Sequence, residues 1–119
     1  MDEKCTVYRT SNMIGKKWTL SILLELYKGN DKWKRYSRIK DKMQSITPKI
    51  LSARLKELEK EGLITKKINA KQVPIKSEYS LSASGSDLIR IIKEMKKWAL
   101  HWKMHNAYCE KTNCKQCKL

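Results

Sequence analysis

With 119 residues, 40% of them hydrophobic, the chain has room for one domain with a small core. Its 27 Lys and Arg against 12 Asp and Glu give a formal net charge of +15, which points to a polyanionic partner. No apolar run approaches the ~20 residues of a membrane span, and the opening MDEKCTVYRT has no signal-peptide pattern. A cytoplasmic location without a membrane partner is expected.

Glycines at 15, 29, 62 and 85 punctuate the chain. The segment TVYRTSNMIG, directly after Cys5, reads as a first helix. KKWTLSILLELYK follows and is apolar around nearly its whole circumference, the mark of a helix at the centre of a fold. GNDKW is a turn. In KRYSRIKDKM, Tyr36, Ile39 and Met43 recur at helical spacing and predict a short amphipathic helix. Lys34, Arg35 and Arg38 in that segment are candidates for phosphate contacts.

ITPKILSARLKELEKEG announces a helix at both ends. Thr47 is a good N-cap, Pro48 suits the first helical position and Gly62 is a usual stop. At 100° per residue, Leu55 and Leu58 fall within about 40° of Leu51, so these leucines face a core. Lys49, Ala53, Lys56 and Lys60 point the opposite way, with Ser52 on the shoulder. That face offers cations, a hydroxyl and a small residue towards the N-terminal half, where a recognition helix meets the major groove. Glu57, Glu59 and Glu61 sit in the other half. Arg54, on the flank, suits a phosphate or an internal pair.

After Gly62, LITKKI and SEYSLS alternate like short strands and NAKQVPIK between them reads as a loop, so a β-hairpin is predicted. Lys66, Lys67, Lys71 and Lys76 lie in or beside it against one acid, Glu78, and suit a DNA backbone or minor groove. A long helix is expected from Ser84 to about Met104, with a coiled-coil-like seam of Leu88, Ile92, Met95, Ala99 and Trp102, widened by Ile91 and Trp98. So many large apolar groups exceed what a terminal helix of so small a domain can bury, and the simplest burial is a two-fold mate. The expected fold is therefore mainly α with a small β-hairpin: a winged helix-turn-helix over residues 1–105, followed by a polar, Cys-rich tail over 106–119.

These segments resemble the HxlR-type regulators, winged-helix transcription factors related to MarR proteins. IGKKWTLSILLELYKG is similar to the family's Gly-Gly-Lys-Trp-Thr-Leu segment, SITPKILSARLKELEKEGLI to its recognition helix, and VPIKSEYSLSASG to its wing. The resemblance runs from Cys5 to about Trp98. It implies a sequence-specific regulator that binds double-stranded DNA as a homodimer, dimerising through its N- and C-terminal helices. On that basis Thr47, Pro48, Lys49, Ser52, Ala53 and Lys56, with Arg35, Arg38 and the hairpin lysines, form the candidate DNA surface. Members of the family often carry an N-terminal Cys that senses oxidants or electrophiles, followed by Pro. Cys5 holds that position here, but Thr6 follows it, and Gly15-Lys16 replaces the Gly-Gly pair. Lys4 and Arg9 are near in sequence and favour a Cys5 thiolate.

Three further cysteines, Cys109, Cys114 and Cys117, crowd the tail, with His105 four residues ahead of the first. Their spacing leaves three readings open: ligands for zinc or an iron–sulfur cluster, redox-active thiols made more acidic by Lys111, Lys115 and Lys118, or thiols with no selected role. No catalytic constellation is apparent, so the chain is not read as an enzyme. The alternative is a small thiol- or metal-binding redox protein built on these cysteines, although a Cys-x-x-Cys in a terminal tail lacks the strand-to-helix setting of a thioredoxin-like enzyme. A third reading, an RNA-binding winged helix, rests on charge alone.

Overall fold

In chain order the elements are α1 (Thr6–Ile14), α2 (Thr19–Tyr27), β1 (Lys34–Arg35), α3 (Tyr36–Lys42), α4 (Pro48–Lys60), β2 (Ile64–Asn69), β3 (Lys76–Leu81), α5 (Ala83–Trp102) and α6 (Ala107–Lys111), closed by a 3₁₀ turn at Cys114–Gln116. The structure, a computed structural model, describes residues 2–71, 73–74 and 76–119. Gln72 and Ile75 of the expected hairpin loop lie outside the described residues.

The apolar α2 sits at the centre, as its pattern requires. Ile22 and Leu23 are fully buried, and they meet Ile39 of α3, Leu51 and Leu55 of α4 and Ile89 of α5 in one cluster. Each such side chain contributes about 1.5–3 kcal/mol by leaving water. Trp18, just before α2, has φ of 82°, a left-handed conformation unusual for a bulky residue. Its side chain packs on the edge of the core.

The hairpin is present, and β3 carries a second partner. The antiparallel order is β1-β3-β2, with Lys34 opposite Tyr79 and Arg35 opposite Glu78 on one side, and Lys66 opposite Tyr79 and Lys67 opposite Glu78 on the other. Lys34 and Arg35 are thus a strand, not the start of the short helix. Pairing with β3 ties the wing to the body of the domain.

Two expectations for the C-terminal third change. The seam on α5 is split. Leu88, Ile89 and Ile92 are buried in the core, while Ile91, Met95, Trp98 and Trp102 form an exposed stripe. At 100° per residue these four fall within about 40° of one line, so the stripe is one flank of the expected seam, while Leu88 and Ile92 turn to the core. Residues 106–119 are no free tail. Gly29 N donates to Lys115 O (2.8 Å), Lys115 Nζ to Tyr27 O (2.9 Å) and Lys96 Nζ to Thr112 O (2.8 Å), and Cys114 is buried. These bonds use backbone carbonyls and lysine heads that carry no periodic signal.

Candidate nucleic-acid interface

The caps on α4 are those its sequence announces. Thr47 Oγ1 accepts from Ile50 N at 3.2 Å, Pro48 opens the helix, and Gly62 closes it with φ of 78°. A side-chain N-cap contributes about 1 kcal/mol. Leu51, Leu55 and Leu58 anchor the inner face in the core. That anchoring fixes the rotation of α4, so Thr47, Pro48, Lys49, Ser52, Ala53 and Lys56 are all exposed on the outer side.

Tyr36, at the start of α3, braces this helix. Its hydroxyl lies 3.3 Å from both Pro48 O and Ser52 Oγ. Sequence reasoning counted Tyr36 as an apolar anchor; its phenol oxygen was the missed signal, since a half-buried tyrosine keeps its hydroxyl for a polar partner. Ser52 is accordingly held by Tyr36 as well as presented outward.

A groove of about 520 Å³ separates α4 from the wing, with Ser52, Ala53 and Lys56 on one wall and Lys66 and Ser77 on the other. Tyr79 forms its floor. Burial, with the Glu59 carboxylate next in weight, raises its phenol above the ordinary value and keeps it neutral. Lys66 Nζ stands 5.9 Å from the centre of that ring. Lys67 points to the opposite face of the sheet, 4.5 Å over the Trp33 ring and 3.8 Å from Glu78. Lys71 is exposed beyond β2, its backbone N donating to Asn69 Oδ1 (3.2 Å), and Lys76 is half-buried opposite Asn69.

The remaining basic candidates divide. Arg35 is exposed beside the wing. Arg38 is exposed but bonded to Asp31 at 2.7 Å, and the Arg38 guanidinium holds that carboxyl below the usual carboxylate range. Lys34 is withdrawn from the surface: it is 3% exposed, and its ammonium donates to Glu25 O and Lys28 O at the C-terminal end of α2. Its ammonium faces inward, not toward a phosphate-binding surface, and caps a helix whose terminal carbonyls attract a cation. Arg54 serves an internal role, donating to Lys17 O (3.1 Å) and pairing with Glu57 (3.4 Å).

Cys5 is half-buried at the N-cap position of α1, and its backbone N donates to Asp2 O at 3.0 Å. Among the described residues, no three His, Cys, Asp or Glu side chains gather as metal ligands. Cys114 is buried within the packed C-terminal segment, and Cys109 and Cys117 are half-buried.

Helices α2, α3 and α4, the last capped and basic on its outer face, followed by the β2–β3 hairpin with β1 paired to β3, define a winged helix-turn-helix DNA-binding protein. The model of HxlR-like helix-turn-helix proteins matches residues 13–107, and the chain belongs to that family. The HTH-type transcriptional regulator YdzF of Bacillus subtilis is 46% identical over 91 residues, covering 76% of this chain and 81% of that one. A MarR-family regulator from Porphyromonas gingivalis W83 superposes with a TM-score of 0.75 at 34% identity, over 86% of this chain and 96% of that one. The redox regulator HypR in its oxidised form superposes at 0.71 with 33% identity, over 84% of this chain and 99% of that one. The protein is a DNA-binding transcriptional regulator of the helix-turn-helix type, not an enzyme. Among the described residues, no helix is long and apolar enough to cross a membrane.

Proposed function

We propose that the protein acts in the cytoplasm as a homodimer on a pseudo-palindromic duplex, each protomer placing the outer face of α4 in a major groove and its wing on the adjoining backbone. One observation carries this reading: the leucines that lock α4 into the core leave Lys49, Ser52, Ala53 and Lys56 exposed together. Lys49 and Lys56 suit guanine edges or phosphates, and Ala53 leaves room for the helix to approach bases. Arg35, Lys66, Lys71 and Lys76 suit phosphates; Arg38 and Lys67 would first exchange their carboxylate partners. Sequencing of duplex fragments selected by the purified protein, followed by footprinting, tests this. Two protected half-sites about one helical turn apart are expected. A single asymmetric footprint, or equal affinity for duplex RNA, would refute it.

The same reading makes Cys5 the sensor. Its position at the head of α1, and the redox-regulator structure among the neighbours, support that role. Peroxide would oxidise the Cys5 thiolate to sulfenic acid and be reduced to water; a second thiol would then displace water to form a disulfide. Because no residue of α1 is fully buried within its own protomer and Val7 is exposed, a new bond there would alter how two protomers meet. Operator affinity of wild type is expected to change reversibly with peroxide, and Cys5→Ser to be indifferent. A full response in Cys5→Ser would shift the role to Cys109, Cys114 or Cys117.

A further inference from the structure

On the side of α5 roughly opposite its exposed apolar stripe, a cleft of about 540 Å³ opens between this helix and the C-terminal segment. Lys93, Lys96, Lys97 and Leu100 line it from α5, and Glu110 and Cys114 from the other wall. That second wall lies beyond residue 107, past the part of the chain that the family shares. Its volume falls in the range of small-molecule sites, about 300–1,000 Å³.

The polar groups of the cleft are unevenly matched. Lys93 Nζ donates to Tyr27 Oη at 2.9 Å and stands 4.9 Å over the same ring. Lys96 Nζ donates to Thr112 O at 2.8 Å. Both are half-buried, and among the described residues neither pairs with a carboxylate. Lys97 is exposed and already paired with Glu94 at 3.2 Å. An ammonium that has lost part of its hydration and gained only neutral oxygens remains short of a counter-charge. Beside these two cations the lining offers apolar surface in the Leu100 side chain and the buried thiol of Cys114, with Glu110, Asn113 and His101 also at the cleft.

We propose that this cleft binds a small amphipathic organic anion, with its carboxylate at Lys93 and Lys96 and its apolar body against Leu100 and Cys114. Charge and apolar surface stand next to each other, so neither a bare inorganic anion nor a neutral apolar molecule satisfies both. A bound anion bridges α5 to a segment pinned on α2 through Gly29, Tyr27 and Lys115. Occupancy therefore strengthens the packing of that segment.

The test is calorimetric titration of the full chain, without DNA, with three probes: phenylacetate, its neutral analogue phenethyl alcohol, and inorganic phosphate. Saturable binding of one phenylacetate per chain is expected, with the other two probes at least tenfold weaker. Lys96→Gln and Lys93→Gln should each weaken phenylacetate at least tenfold. Lys93 also braces Tyr27, so a measurement on wild type accompanies the variants: phenylacetate should slow alkylation of Cys114 by iodoacetamide, read by peptide mass, and leave Cys5 unprotected. The proposal is overturned by absent or non-saturable binding, by phosphate or the alcohol matching phenylacetate, by unchanged affinity in both variants, or by unprotected Cys114. None of these results bears on the DNA-binding surface, which takes no part in the assay.

Discussion

A Cβ at Gly85, in the first turn of α5, would lie 2.0 Å from the carbonyl oxygen of Leu63, which is backbone and cannot swing aside. In most helices Gly→Ala stabilises by up to about 1 kcal/mol. Here the sign reverses: Gly85→Ala should destabilise by about 3 kcal/mol, the upper range for overpacking, read as a lower denaturant midpoint with an unchanged slope. Gly62 gives the contrast. A Cβ there meets nothing within 4 Å, but φ is 78°, so Gly62→Ala should cost only the left-handed strain, about 1–2 kcal/mol. Lys34 carries a pH signature. Burial, offset in part by Glu25, brings its ammonium from 10.5 in the unfolded chain down to about 8. Below pH 8 both states hold the proton and the burial cost is fully present. Between about 8 and 10.5 the unfolded chain still holds a proton that the folded chain has released, so this group makes stability rise with pH. The stability of wild type relative to Lys34→Met should therefore shift in favour of wild type across that window. A flat difference in urea titrations at successive pH values would show that Lys34 keeps its charge.

The α4 helix and the wing have separable tasks, and substitutions should separate them. Lys49 stands on the outer face without a protein partner among the described ion pairs and hydrogen bonds, whereas Ser52 is shared with Tyr36 and Lys67 with Glu78. Lys49→Ala and Lys71→Ala are thus the cleaner probes of helix and wing. Loss of Lys49 should change which bases are preferred, by about 1–3 kcal/mol at one position. Loss of Lys71 should weaken all sequences alike and reduce the slope of log K against log salt by roughly 0.9. Binding isotherms on selected and scrambled duplexes at several salt concentrations would expose a reversed assignment. The ease of reading these elements from sequence follows from how each is specified. The ends of α4 are local: a Thr hydroxyl, a Pro and a Gly act within one turn, and the leucine spacing fixes its rotation. The strand β1 is two residues long and exists only because β3 offers an open edge, so no periodicity announces it. Lys34 was legible as a cation but not as a buried one, because its partners are backbone carbonyls of α2. The packing of the C-terminal segment is hidden for the same reason, since Lys115 meets Gly29 N and Tyr27 O across most of the chain's length.

The protomer as a whole is wider than its own core requires. Its radius of gyration is 15.4 Å, against about 13.5 Å for a compact chain of this length. The same molecule leaves large apolar side chains in water: on α5, Ile91 is 47% exposed, Met95 49%, Trp98 55% and Trp102 68%, and on α1, Val7 is 69% exposed. No residue of α1 is fully buried within the protomer, and only Ile14 packs against the core. An amphipathic helix that meets the core only at Ile14 and a Trp-bearing stripe on another are what a two-fold mate would cover. The split of the α5 seam sharpens the test, because one helix now presents both a core position and a surface position. Ile92 is 5% exposed and belongs to the core, so Ile92→Asp should unfold the chain. Trp98 is outside that core, so Trp98→Asp should leave the far-UV spectrum intact and give folded monomers in sedimentation at micromolar protein, where wild type should sediment as a dimer. Operator affinity should then fall by roughly 10²–10⁴-fold, because the second half-site is no longer engaged by a linked protomer. Affinity for an isolated half-site should be unchanged. A monomeric wild type, or a Trp98→Asp variant that remains dimeric with full operator affinity, would remove α5 from the interface and the paired half-sites with it.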